Sequence, residues 1–125
     1  MNEPAGMSAL AKVREAAQNR RFDEAETLLS AILVETPTDA EAHTLSFAIA
    51  MQRRDFAVAR KRAEAALAFL PDNPTFHSNL GAAMMQSGDH ETAMGHLDAA
   101  IEASPDHFTA RRNRGMLYTA LGRYT

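Results

Sequence analysis

Apolar residues along this chain recur at the three- and four-residue spacing of helices, and turn residues divide them into short segments. After Asn73, the run PTFHSNLGAAMMQ stops at Gly88, and a second run, HETAMGHLDAAIEA, ends before Pro105. Asparagine is a favoured N-cap, proline suits the first helical position, and glycine can adopt the left-handed backbone that ends a helix. No segment shows the alternation of a half-buried strand. The pattern predicts an all-α chain built from helix pairs.

These helix pairs repeat with a period of 34 residues. The stretch QNRRFDEA begins at Gln18, QRRDFAVA at Gln52 and QSGDHETA at Gln86. Two further columns keep the same period, with alanine at 25, 59 and 93 and proline at 37, 71 and 105. Several columns in phase over the whole chain indicate an internal repeat. We predict one domain with units at about 6–39, 40–73 and 74–107 and a partial unit at 108–125.

The sequence also predicts one helix cap and the backbone conformation of the turns. Thr38 and Glu41 have the spacing of a capping box at the start of the second unit. Arg20 and Arg54 stand where the third unit has Gly88. If the arginines adopt the left-handed backbone, each costs on the order of 1 kcal/mol. We therefore expect the first two units to turn slightly differently from the third.

The repeating unit resembles the tetratricopeptide repeat, a 34-residue helix pair with Leu-Gly in its first helix, a central Ala and a terminal Pro. The third unit matches this pattern at Asn79-Leu80-Gly81, Gly88, Ala93, Leu97, Ala100 and Pro105. The fourth unit matches it at Arg114-Gly115, Tyr118, Gly122 and Tyr124. In the first two units, Lys12-Val13 and Ser46-Phe47 replace Leu-Gly. The resemblance implies a right-handed α-solenoid of about seven antiparallel helices.

Composition narrows the classes of function. The 125 residues are 46% hydrophobic and 23% charged, which is typical of a globular protein. A net charge of −3 disfavours a nucleic-acid partner. The most apolar run, LSFAIAM at 45–51, is too short to span a bilayer, and the N-terminus lacks the apolar centre of a signal peptide. We expect a cytoplasmic protein without membrane insertion.

Catalytic and metal-binding patterns are missing from the sequence. There is no phosphate-binding glycine loop, no nucleophile motif and no cysteine. Of the five histidines, His43 and His77 occupy the column of a packing aromatic, while His90 and His96 fall on different sides of one predicted helix. A tight metal site needs convergent ligands. We therefore expect no catalysis, no cofactor and no metal in these residues.

The resemblance implies that the first helices line a concave groove for an extended peptide or a partner helix. By their place in the repeat, we predict that this groove includes Arg14, Gln18, Thr44, Met51, Gln52, Ser78, Asn79, Met85, Gln86, Arg112, Asn113 and Met116. Two alternatives stay open: the methionines pack between helices, and the glutamine column ties neighbouring helices together. Of the five places that form a carboxylate clamp in some family members, only Asn79 fits, so we do not expect that clamp.

Two functions fit these observations. The first is a non-catalytic protein-binding scaffold with no nucleic-acid partner. The alternative is a regulatory or substrate-docking region of a larger enzyme, such as a transferase, with its catalytic domain beyond residue 125. The segment GRYT resembles a helix start, which favours a fragment of a longer protein over a closing helix at Asp106–Leu121. An uncapped apolar flank at Met116, Leu117 and Leu121 would allow self-association.

Overall fold

The computed structural model describes residues 8–122, and this part of the chain contains seven α-helices and no β-strand. In chain order they are α1 (Ala9–Gln18), α2 (Phe22–Glu35), α3 (Ala40–Gln52), α4 (Phe56–Phe69), α5 (Pro74–Gln86), α6 (His90–Ala103) and α7 (Phe108–Ala120). The all-α prediction and the number of helices are confirmed. Tyr124, which is predicted to continue the fourth unit, lies outside the described residues.

The helices form two layers. Each helix packs against the next one in the chain, and α1, α3, α5 and α7 also contact one another in turn. Within the described residues, α2, α4 and α6 do not approach each other in the same way. Since the first helices of the pairs lie closer together than the second helices, the stack curves and the first helices form its inner wall. This arrangement is the predicted α-solenoid.

Small residues let the two layers approach. Ala25, Ala59 and Ala93, one repeat apart in the second helices, are fully buried. They belong to two core clusters, one around α1, α2 and α3 and one that continues to α7. A larger side chain at any of these positions would meet a packed neighbour, which costs about 1–3 kcal/mol in typical cores.

The turns inside the repeats share one backbone geometry. Arg20 and Arg54 have φ 58°, and Gly88 has φ 84°, so all three lie in the left-handed region. The N–H groups of these residues and of their successors make the same backbone hydrogen bonds to the preceding helix in all three repeats. The expectation that the first two units turn differently is wrong, because arginine takes the conformation that glycine favours.

Each of these two arginines also covers an aromatic ring. The guanidinium of Arg20 lies 5.0 Å from the centre of the Phe22 ring, and that of Arg54 lies 5.3 Å from the Phe56 ring. A cation–π contact at an exposed site contributes about 0.5–1 kcal/mol. The contact therefore offsets part of the left-handed strain in the first two repeats.

One repeat position supplies the N-caps of three first helices. The side chains of Asp39, Asn73 and His107 each accept a hydrogen bond from a backbone N–H in the first turn of α3, α5 and α7. The predictions that Asn73 caps a helix and that Pro74 opens it are confirmed. The capping box that starts at Thr38 is wrong, because Asp39 takes the N-cap position and accepts from the N–H of Ala42 at 3.0 Å.

Candidate functional site

A cavity of about 220 Å³ opens between α1 and α3 on the inner wall. Helical spacing places one face of each helix toward it, and the lining residues are Arg14, Ala17, Gln18, Leu45, Ala48, Ile49 and Gln52. Its floor is aliphatic, and its rim carries two amides and one guanidinium. The structure thus brings three predicted groove residues from two repeats to one cavity.

The guanidinium at the rim already has an acidic neighbour. Arg14 on α1 donates a hydrogen bond to the carboxylate of Glu41 on α3, and both side chains are about half exposed. Ion pairs in such exposed positions contribute about 0–1 kcal/mol. A carboxylate of a ligand can therefore compete with Glu41 for Arg14.

The three glutamines of the repeat lie at the ends of α1, α3 and α5. Gln18, Gln52 and Gln86 are all exposed, and none of their amides makes a hydrogen bond to another residue in the range 8–122. The described structure therefore gives no sign that they tie neighbouring helices together. A primary amide offers two donors and an acceptor, which match the C=O and N–H groups of a peptide backbone.

The other predicted groove residues fall into three groups. Thr44, Gln86, Arg112 and Met116 are exposed, and Asn79 is partly exposed. Met51 and Met85 are partly buried and pack against the larger core cluster. Ser78 is fully buried and Asn113 is only 7% exposed, so neither side chain is accessible to a ligand in this structure.

The last helix presents one exposed mixed face. Phe108, Arg112 and Met116 are spaced four residues apart on α7, and the phenyl ring and the thioether are 73% and 54% exposed. The guanidinium of Arg112 lies 5.9 Å from the ring centre of Phe108. The neighbouring arginines are engaged by the fold, since Arg111 donates to the carbonyl of Pro105 and Arg114 to the carboxylate of Asp98.

Another repeat position, at the start of the first helices, holds the loops between repeats in place through hydrogen bonds that the sequence patterns do not predict. His43, His77 and Arg111 each donate a hydrogen bond to the carbonyl oxygen of the proline six residues earlier, at 2.7, 3.0 and 3.2 Å. The constant offset between this column and the proline column is the signal that could have identified these bonds. His43 also packs as an aromatic, with its ring stacked on Phe69 at 6.0 Å.

His77 has a different neighbour, which sequence reasoning did not find. Its Nδ1 lies 3.4 Å from Nδ1 of His96 on α6. Burial lowers the pKa of His96, and the nearby His77 and Arg60 act in the same direction, whereas Glu64 opposes them. The spacing of His96 within α6 does not reveal this contact, because it depends on how α6 packs on α5.

Larger clusters of metal ligands and membrane-spanning helices are both absent from residues 8–122. No three side chains of the types His, Cys, Asp and Glu come close enough together there to enclose a metal ion. None of the helices in this range combines the length and the apolar character that crossing a membrane requires.

The family comparison agrees with the repeat pattern. A sequence model described as "Tetratricopeptide repeat" matches residues 49–107 and, in a second overlapping match, residues 85–125. Together the two matches cover more than half of the chain. No curated protein sequence matches this chain significantly.

Solved structures with the same fold come from proteins with different roles. The first TPR domain of Spaghetti (RPAP3), bound to the HSP90 peptide SRMEEVD, has a TM-score of 0.83 at 21% identity, with 91% of this chain and 93% of that chain covered. MamA from Desulfovibrio magneticus RS-1 has a TM-score of 0.76 at 17% identity, with 91% of this chain and 64% of that chain covered. The Thermobaculum terrenum O-GlcNAc transferase gives 0.75 at 24% identity, covering 88% of this chain. This chain spans only 21% of that transferase.

Proposed function

This chain belongs to the tetratricopeptide repeat family, and from that premise we propose that it is a non-catalytic scaffold whose concave groove binds a peptide or a partner helix. The observation that carries the proposal is the cavity between α1 and α3, with its aliphatic floor and its unbonded amides. A related domain, that of RPAP3, holds an HSP90 peptide. We place this role in the cytoplasm as part of the proposal, and fractionation of cells that express the tagged chain tests it.

The dimensions of the cavity favour one side chain of a peptide as its occupant. Small-molecule and cofactor sites usually measure about 300–1,000 Å³, which is larger than the 220 Å³ found here. An aliphatic or aromatic side chain would contact Leu45, Ala48 and Ile49. Gln18 and Gln52 would then bond the backbone on either side of it, since they stand at successive repeats along the groove.

The proposed groove continues along the inner wall. Beyond the cavity, Thr44, Asn79, Gln86, Arg112 and Met116 would contact the ligand, and Met51 and Met85 would adapt to it from the core side. Ser78 and Asn113 are buried, so in this structure they would support the packing of α7 on α5 without touching the ligand.

A displayed peptide library, followed by affinity measurements on the selected peptides, tests the groove. Ala48→Glu would take the space of the peptide side chain on the aliphatic floor and would compete with peptide carboxylates for Arg14. The affinity of groove-binding peptides should fall about tenfold or more, because burial of an apolar side chain is worth about 1.5–3 kcal/mol and about 1.4 kcal/mol corresponds to tenfold. Ala65→Glu is the matched control, since Ala65 is exposed on α4 in the outer layer. Equal affinities of the two variants for every selected peptide would exclude this groove.

The alternative function is a regulatory or substrate-docking region of a larger enzyme. The observation that favours it is the similarity in fold to the O-GlcNAc transferase. This chain covers only 21% of that longer protein. Sequencing the parent gene beyond the codon for Thr125 tests it. A catalytic domain in the same reading frame would support the alternative, and a stop codon would exclude it.

Self-association through α7 is a further part of the proposal. The predicted flank of Met116, Leu117 and Leu121 is wrong at Leu117, which is fully buried because it packs in the larger core cluster. The exposed Phe108 and Met116 supply the apolar surface instead. Sedimentation equilibrium over a wide concentration range measures the effect, and Met116→Glu should shift the distribution toward the monomer. A mass that equals the monomer at every concentration would rule this contact out.

A further inference from the structure

The two histidines at the interface of α5 and α6 face each other edge to edge. The ring centres of His77 and His96 are 5.6 Å apart and their planes differ by 23°, while the two Nδ1 atoms are 3.4 Å apart. The distance between the ring centres exceeds the distance between the Nδ1 atoms by about twice the radius of an imidazole ring. Each Nδ1 therefore lies on the side of its ring that faces the other ring, and the two nitrogens point toward each other.

The second nitrogen of His77 shows which of its two ring nitrogens carries a hydrogen. Nε2 lies 3.0 Å from the carbonyl oxygen of Pro71. A carbonyl only accepts hydrogen bonds, so Nε2 carries the hydrogen, and in the neutral ring the lone pair is on Nδ1. Histidines that bind metals are commonly oriented in this way, by donating their outer N–H to a backbone carbonyl or a carboxylate. Burial lowers the pKa of His96, which favours the neutral form of that ring.

A neutral His96 can carry its hydrogen on either nitrogen, and with the hydrogen on Nε2 its Nδ1 also offers a lone pair. Two lone pairs that face each other repel unless a proton or a metal cation lies between them. We propose that His77 and His96 bind a divalent transition-metal ion such as Zn²⁺ through their Nδ1 atoms. Imidazole nitrogen is a preferred ligand of this class of ion.

The distance between the two nitrogens suits such an ion. Two nitrogens that bind one Zn²⁺ tetrahedrally at about 2.0–2.1 Å lie about 3.3 Å from each other, which is close to the 3.4 Å observed. Such an ion lies beside the line between the two nitrogens, so both rings would have to turn for their lone pairs to converge on it.

Water completes the coordination of this site. Since no third ligand from the described residues joins the pair, the ion would keep more positions open for water than the single one found in catalytic zinc sites with three protein ligands. The charges beside His96 come from Arg60 and Glu64 on α4. Nε of Arg60 donates to the carboxylate of Glu64 at 3.3 Å, so the nearest acidic group is partly neutralised. Loss of the Arg60 charge should therefore strengthen metal binding, and loss of the Glu64 charge should weaken it.

Titration of the full chain with ZnCl₂, followed by calorimetry and by long-range ¹H–¹⁵N NMR of the imidazoles, tests the proposal. We expect one ion per chain with an affinity in the micromolar range, and a shift of Nδ1 in both rings while Nε2 of His77 keeps its hydrogen. His77→Ala and His96→Ala should each lower the affinity at least about tenfold. Arg60→Gln should raise the affinity and Glu64→Gln should lower it.

The control variant is His107→Asn, which removes an imidazole elsewhere and keeps a side chain that caps α7. It should bind Zn²⁺ as the unmodified chain does. The proposal fails if the double variant His77→Ala/His96→Ala binds Zn²⁺ as tightly as the unmodified chain, or if Nδ1 of either ring does not respond. In that outcome a shared proton alone joins the pair. The NMR result on the unmodified chain distinguishes a bound metal ion from a shared proton even where a variant does not fold.

Discussion

A Cβ atom on Gly81 would lie 2.9 Å from Cγ and from Cδ2 of Leu97, closer than side-chain carbons approach one another. Glycine at this point of α5 therefore sets how closely α6 packs. The same two repeat positions hold Val13 with Leu29 in the first unit, and Phe47 with Ala63 in the second. Each of these pairs lies in one core cluster. In the second and third units, a large side chain on one helix of the pair faces a small residue on the other helix. In the first unit, two side chains of medium size fill the same space between the helices.

Gly81→Ala should destabilise the fold by about 1–3 kcal/mol, because the added methyl group overpacks the contact with the buried Leu97. Urea unfolding followed by circular dichroism measures the change. Gly115→Ala is the control at the same repeat position, since nothing lies within 4 Å of its Cβ site. There, alanine should stabilise α7 by about 0.5–1 kcal/mol. Equal effects of the two substitutions would contradict the assigned contact.

The contact between Gly81 and Leu97 should also show in a double-mutant cycle. Leu97→Ala alone should cost about 2–5 kcal/mol, because it leaves a cavity between α5 and α6. In the double variant Gly81→Ala/Leu97→Ala, the methyl group added at position 81 enters that cavity, so the total loss should be smaller than the sum of the single losses by about 0.5–3 kcal/mol. Additive losses would show that the two residues do not share this space.

Ser78→Ala should stabilise the protein. The hydroxyl of Ser78 is fully buried and has no hydrogen-bond partner among the described residues. Burial of an unpaired polar group costs about 1–3 kcal/mol, so its removal should raise the free energy of unfolding by about 1 kcal/mol. Thermal unfolding measures the shift. Ser30→Ala on the exposed face of α2 serves as the control and should stay within about 0.5 kcal/mol. A lower stability of Ser78→Ala would reveal a hydrogen bond of that hydroxyl.

His107→Ala should cost about 0.5–2 kcal/mol, the usual range for loss of an N-cap side chain. Nδ1 of His107 accepts from the N–H of Ala110 at 3.2 Å, and Nε2 lies 3.2 Å from Oγ1 of Thr75. His107→Asn should retain most of the stability, because asparagine already caps α5 from the same repeat position. Chemical unfolding of both variants checks this, and equal losses would argue against a capping role.

Arg62→Met should weaken the attachment of α4 to the first repeat. The guanidinium of Arg62 donates to the carboxylate of Glu26 and to the carbonyl of Ser46, both at 2.9 Å, and side-chain exposure is only 26–27% for the ion pair. Hydrogen bonds to charged groups contribute about 1.5–3 kcal/mol, and partial exposure lowers the expected loss to about 1–2 kcal/mol. Arg21→Met, which breaks an exposed pair with Glu24, is the control and should change stability by less than about 0.5 kcal/mol in the same urea titration.

Much of the architecture could be predicted from the sequence, because it depends on local chemistry and on the period. The seven helices, the fully buried alanine column and the N-cap at Asn73 all follow from spacing, propensity and turn residues. The same period would have placed caps at Asp39 and His107, one repeat before and after Asn73. At the start of α3, both Thr38 and Asp39 are suitable N-caps, and the capping-box spacing pointed to Thr38, whereas Asp39 caps the helix.

For the candidate site, repeat position places Arg14, Gln18 and Gln52 on the first helices of their units, and in the structure they line one cavity. It could not show that Ser78 is buried, because its burial depends on neighbouring helices and not on its place within α5.

What the sequence by itself determined is the unit: a pair of helices, the approximate position of each helix, and how often the pattern returns. Only the tertiary structure decided how the units fit. The close approach at Gly81 and Leu97 and the opposed nitrogens of His77 and His96 each join residues 16 to 19 positions apart, on separate helices. The physical reason is that side-chain volume and direction act across the interface between helices, and the packing distance there is set by all the residues that share it.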